Sequence, residues 1–244
     1  MNYPPAIALL LLPAMLVLVA VGRRLRRRDG SVAESSSIEA AVFALFGLLL
    51  AFTFSGAAGR YDTHRQLVVE EGNDIGTAYL RLDLLPRAAQ PELRELFRRY
   101  TDSRLHLYDS VALEVSPETA ALQHEIWMRC VAASAAPGAG PDAAKLLLPA
   151  LNAMIDITST RQNSFSMHPP PVVFFLLFGL SCGAAILAGY GMTSSGRSWF
   201  YMVALALTVT ATVYATLEIE YPRQGLIRLR GTDKILVGVR DSMK

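Results

Sequence analysis

Four apolar blocks, near Ala6 to Gly22, Ile38 to Ala58, Val172 to Gly191 and Trp199 to Ile219, constrain this chain more than any other feature. Each is about the length an α-helix needs to cross a hydrocarbon core of ~30 Å. Leu, Ile, Phe and Val each favour insertion by roughly 0.3 to 0.6 kcal/mol near a helix centre, so the run from Val172 to Phe178 outweighs the polar atoms of its block. Apolar residues make up 52% of the 244, and the mean hydropathy is +0.32. Part of the solvent is therefore lipid.

The first block is apolar and N-terminal, as a cleaved signal would be, but its charge is on the wrong side. Met1 to Pro5 carry no side-chain charge, whereas Arg23, Arg24, Arg26, Arg27 and Arg28 follow the apolar run. We therefore expect a retained anchor. The net charge of +2 gives no case for nucleic-acid binding, and the arginine run reads as a topology determinant. Cys130 and Cys182 cannot build a disulfide framework, and neither has metal-ligand company at useful spacing.

The blocks pair. A polar link around Ser31 to Ser37 joins the first two into a hairpin, its serines suited to cap the helix that begins at Ile38 and Glu39. No proline ends the second block, and the apolar period continues through Tyr61, Leu67, Val68, Ile75, Ala78 and Leu82 to Pro86, so one long helix leaves the bilayer and enters an extramembrane domain. Pro91 to Leu93 open an amphipathic helix. Ser116 and Pro117 start a third, running to about Ala135, and a fourth is expected from Asp142 to about Thr160, kinked by Pro149. Beyond His168 to Pro171 the last two blocks form a second hairpin, linked by Thr193 to Ser198. The tail holds an alternating segment at Leu226 to Leu229 and a helix expected at Thr232 to Ser242.

The fold expected is all-α: residues 1–58 a transmembrane hairpin with spans at 6–22 and 38–58, 59–168 a helical extramembrane domain, 169–219 a second hairpin with spans at 172–191 and 199–219, and 220–244 a polar tail. Even span number places both termini and the large domain on one face. Arg60, Arg65, Arg161, Arg223, Arg228, Arg230 and Lys234 compete with the first-hairpin arginines and Arg197 for the cytoplasm. An uncharged N-terminus followed by five clustered arginines makes the first hairpin decide, which puts the domain outside.

FTFSGAAGRYD at 52–62, continuing as RQLVVEEGNDIGTAYLRLD at 65–83, together with EYPRQGLIR at 220–228, resembles the bestrophin-like family of bacterial integral membrane proteins. The resemblance covers nearly the whole chain, and its specific part is the exit of the second helix. It implies four spans with a central helical domain, a multi-pass protein of the cell inner membrane and, by analogy with true bestrophins, an oligomeric anion channel. No bestrophin pore or calcium-clasp residue is matched. Bestrophins keep the central domain in the cytosol, so the analogy and the charge pattern point opposite ways for a periplasmic or extracellular domain.

Gly47, Ala51, Ser55 and Gly59 recur every fourth residue on the second helix, and Gly179 with Gly183 makes a GxxxG pair on the third. Such ladders let backbones approach in lipid, which serves packing within one chain, an oligomer contact or a pore-facing stripe. Thr208, Thr212 and Thr216 line up above Glu220, either facing a water path or bonding the carbonyls four residues back. Phe52 and Phe54 are candidates for an apolar narrowing. Arg60, Asp62, Arg65, Glu70 and Glu71 crowd the exit, as a solvated face with surface pairs such as Asp62 with Arg65, or as a ring of charge at an oligomer's vestibule.

Catalysis has little support. Glu70 and Glu71 are adjacent and face different ways on a helix, His106, His124 and His168 lack HExxH spacing, and there is no GxSxG, P-loop or dinucleotide fingerprint. We expect no enzyme, no cofactor and no metal site. Two functions stay open. One is a homo-oligomeric channel, leaning to inorganic anions, with the long second helix at its axis. The other is a membrane-anchored sensor or accessory protein whose helical domain binds a ligand or partner.

Overall fold

A computed structural model describes residues 8–29, 36–109, 115–192, 198–221 and 233–243. Helices α1 (Leu11–Asp29), α2 (Ser36–Leu80), α3 (Gln90–Asp109), α4 (Pro117–Ser134), α5 (Ala143–Ser166), α6 (Pro171–Gly191), α7 (Ser198–Glu220) and α8 (Asp233–Ser242) account for most of it, with a 3-10 turn at Arg81–Leu84. Among the described residues there is no strand. Residues 30–35, the 193–197 link and the alternating segment at 226–229 lie outside them, so the serine cap of the second block and the strand-like tail are not described.

Three helical stretches, Ser37–Leu84, Ala143–Gly191 and Trp199–Glu220, are long and apolar enough to cross a membrane by length and composition. Helix α1 is not among them because five arginines fill its C-terminal third.

The second block does continue as one helix of 45 residues, ended by the 3-10 turn just short of Pro86. Ser116 caps α4 by accepting from the Thr119 N–H at 3.1 Å, with Pro117 in the first turn, as the sequence requires. Pro149 sits near the start of α5 without ending it, and α5 runs on to Ser166, six residues past the end expected at Thr160. The expected tail helix is α8.

The chain divides into two compact units, one of residues 1–61 and 168–227, the other of 62–167 and 228–244. In the first, α1 and α6 cross backbone to backbone. A Cβ on Gly22 would strike the Ile186 carbonyl, and one on Gly189 would strike the Val19 carbonyl. Glycine is the residue that permits so close an approach, and dispersion between the two closely packed backbones repays it. Arg26 donates to the Tyr190 carbonyl at 2.8 Å, which holds the C-terminal ends of these two helices together. Met15, Val19, Leu177, Ala185, Met202 and Val213 fill the interior.

In the second unit the C-terminal part of α2 supplies Ile75, Tyr79 and, at the turn, Leu82 to a core completed by Phe97, Tyr100, Ile126, Leu147 and Leu151. Helix α8 closes it. Its Ile235 and Leu236 lie against Gly72, where the missing side chain leaves them room, and Arg240 grips Asp102 with Nε and Nη2 at 2.6 and 2.9 Å. Burying each large side chain in such a core stabilises by ~1.5 to 3 kcal/mol.

Candidate functional site

Helix α2 has two unlike faces in its N-terminal half. Phe46, Thr53 and Ala57 are buried, at the seven- and four-residue spacing of one helix face. The opposite face is uncovered: Gly47, Ala51, Phe52, Ser55 and Gly59 are exposed, Phe52 by 67%, and Phe54 at its edge by 42%. A Cβ at Gly47 or Gly59 would meet no atom within 4 Å. The same holds on α6 for Gly179 and Gly183. The helix contact built on small residues inside this chain therefore lies at Gly22 and Gly189, and the two ladders seen in the sequence remain open.

Two of the three threonines in the line on α7 bond back to their own helix. Thr212 donates to the Thr208 carbonyl and Thr216 to the Thr212 carbonyl, each at 2.8 Å. Thr208 is exposed, Thr212 half-buried and Thr216 buried, so the line turns from surface to interior as it descends to Glu220.

At the end of α7 the buried Glu220 carboxylate gathers two partners. Arg60 reaches it from α2 with Nε and Nη2, at 2.7 to 3.1 Å, and His168 Nδ1 lies 3.0 Å from Oε1. The Tyr221 ring leans on the His168 imidazole at 4.6 Å between centroids. Bidentate grip by a planar guanidinium fixes the angle at which α2 meets α7 as well as the charge balance. Just above, buried Glu218 accepts from the Tyr214 hydroxyl at 2.6 Å.

Asp62 and Arg65 are exposed and 3.8 Å apart, the surface pair their spacing suggested. Glu70 is exposed on the same outer face. Glu71, one residue on, points the other way and is fully buried, with Arg104 of α3 on one carboxylate oxygen and Arg161 of α5 on the other. That cluster ties three helices of the second unit together. His64, about two turns earlier on the same side, stacks on Phe165 at 4.1 Å and lies 3.2 Å from the Ser164 hydroxyl. Among the described residues no three His, Cys, Asp or Glu side chains gather as metal ligands would.

Sequence reasoning did not find the Arg60, Glu220 and His168 cluster, although each had been marked separately. The signal was there in kind. A carboxylate at the foot of an apolar block needs a cation, and the two nearest candidates flank the other points where the chain enters or leaves its apolar blocks.

The bestrophin-like domain model matches residues 7–232, nearly the whole chain. The chain belongs to the bestrophin-like family. Membership agrees with the apolar helical stretches in making this a membrane protein, and it gives the exit sequence at 52–83 its context as part of the family's own domain. No curated protein and no solved structure matches this bestrophin-like chain.

Proposed function

We propose that this bestrophin-like protein is the subunit of a homo-oligomeric ion channel, with the uncovered face of α2 turned to the symmetry axis. One observation carries the reading. The face of α2 that the described residues leave open carries the small residues Gly47, Ala51, Ser55 and Gly59 beside Phe52. The small residues let a neighbouring helix come close to this surface, and the exposed Leu48 and Phe52 beside them supply apolar contact across it.

In this arrangement α1 is the fourth span, accompanying α6 through their glycine crossing, and residues 59–168 form a domain outside the inner membrane. Phe52, with Phe54 beside it, makes an apolar ring that closes the pore by excluding water. Arg60 is neutralised by Glu220, so selectivity at the exit rests on Arg65 and Asp62 repeated around the axis, with a modest preference for inorganic anions. The helical domain alone, acting as a sensor or accessory module, needs no such face on α2.

The test is accessibility. With Ser55→Cys in protein whose Cys182 is replaced by serine, a small cationic methanethiosulfonate reagent should react from the aqueous side and alter the current. A Ser55→Cys thiol that stays unmodified while an exposed control site labels would put that face in lipid and remove the pore.

A further inference from the structure

The five arginines at the end of α1 do not act alike. Arg23 and Arg26 are half-buried and turned to their own chain, Arg23 Nη1 lying 3.5 Å from the Met202 sulfur and Arg26 donating to the Tyr190 carbonyl. Arg24, Arg27 and Arg28 are exposed and bond to nothing among the described residues. Favourable interaction with the helix C-terminus accounts for one or two cations in the last turn, not for three with no carboxylate partner among the described residues.

Spacing groups the free ones with apolar neighbours. Val17, Val21, Arg24 and Arg28 succeed one another at intervals of four, three and four, which is one face of α1, and Arg27 flanks it. Val17 and Val21 are among the chain's exposed large apolar residues, as is Leu25 beside them. The face is thus amphipathic along its length, with bare apolar surface for about two turns and then two arginines whose Cα atoms lie about 6 Å apart along the axis. An acyl chain laid on the valines brings its headgroup phosphate to Arg24 and Arg28, whose planar forks bind phosphate oxygens bidentately.

We propose that this face of α1 is a binding site for an anionic phospholipid, with Arg24 and Arg28 on the phosphodiester, Arg27 supplying field, and Val17 and Val21 under the acyl chain. A zwitterionic lipid brings its own ammonium to the same place and is disfavoured. The site rests on α1 lying at bilayer depth, as in the four-span reading, but it operates whether or not the protein conducts. The C-terminal end of α6, held at Arg26, adds no described carboxylate bonded to these three arginines.

Native mass spectrometry of the detergent-solubilised full chain tests this, with phosphatidylglycerol, phosphatidylcholine or inorganic phosphate added separately at matched concentration. Wild-type protein should retain phosphatidylglycerol about tenfold or more over phosphatidylcholine, and Arg24→Gln with Arg28→Gln should bring the two lipids level. Arg26→Gln, which alters a contact inside the chain, should keep the preference. Equal retention by wild type overturns the site without any variant being needed. So does a preference that survives in the double variant, or one that millimolar phosphate abolishes, since that marks a site for a free anion.

Discussion

Arg60 of α2 holds both carboxylate oxygens of Glu220 at the foot of α7, with Glu220 almost wholly buried and Arg60 about two-thirds so. Removing one partner strands the other. Glu220→Gln should lower stability in mild detergent by about 2 to 3 kcal/mol, as for loss of a charge-assisted pair, and Arg60→Met with Glu220→Leu should recover most of it. Thermal midpoints of the two proteins decide the point, and a double variant no more stable than the single one would show that the pair contributes more than charge compensation.

The buried Glu71 carboxylate is the harsher case, since two guanidiniums share it inside the second unit. Glu71→Leu takes away the carboxylate that Arg104 and Arg161 share. A cost of about 3 to 5 kcal/mol is expected, large against the stability of a domain this size. Helical circular dichroism followed on heating should show early loss for Glu71→Leu, while Glu70→Leu on the exposed face melts with the wild type.

Glycine positions separate folding from assembly. Gly22→Leu or Gly189→Leu drives a side chain into the facing backbone and should abolish folded yield. Gly47→Leu, Ser55→Leu and Gly183→Leu enter open space within the chain. They should leave the monomer's fold intact, and Ser55→Leu should lower the oligomer seen by size-exclusion chromatography with light scattering. Loss of folded monomer with Ser55→Leu would place an intrachain contact at the ladder.

Much of the architecture was legible in the sequence because it obeys local rules. The long α2 follows from an apolar period with no proline between Ile38 and Pro86, and the start of α4 from Ser116 and Pro117. Long-range pairings were not legible. Gly22 is the only glycine of α1, and Gly189 lies six residues from Gly183 and two from Gly191, so neither belongs to a four-residue ladder, whereas Gly179 and Gly183 do. Glu70 and Glu71 look equivalent in the sequence, and only the placement of α3 and α5 makes one a surface group and the other a core ion. Pairing of Arg60 with a residue 160 positions away is likewise a property of tertiary contact.

Cys130 supplies a pH dependence. Burial pushes its thiol up to about 12, against ~8.5 in an unfolded chain. Between those values the unfolded chain gives up its proton first, so stability is present below pH ~8.5 and falls as pH rises through the window, by about 2 kcal/mol from pH 8 to pH 10. Compared with Cys130→Ala, the wild type should lose more of its thermal midpoint over that step. At pH 8 a thiol reagent should miss Cys130 in folded protein and find it in denaturant.

Topology is tested by a cysteine at Ser116, the half-buried residue that caps the start of α4. With the domain outside, an impermeant maleimide should label it in intact cells, and buried Cys130 needs no removal. Labelling only after lysis would reverse the orientation and move the arginines of α1 to the outer face.

The most direct measurement is current through the purified protein in planar bilayers, wild type beside Phe52→Ala. If the open face of α2 lines a pore narrowed by Phe52, the wild type conducts weakly and the alanine variant conducts several times more, because a wider, wetter constriction admits ions. Folded, correctly inserted protein that stays silent across voltage and pH, in both forms and with Phe54→Ala added, would contradict the channel and leave the helical domain as the working part of the molecule.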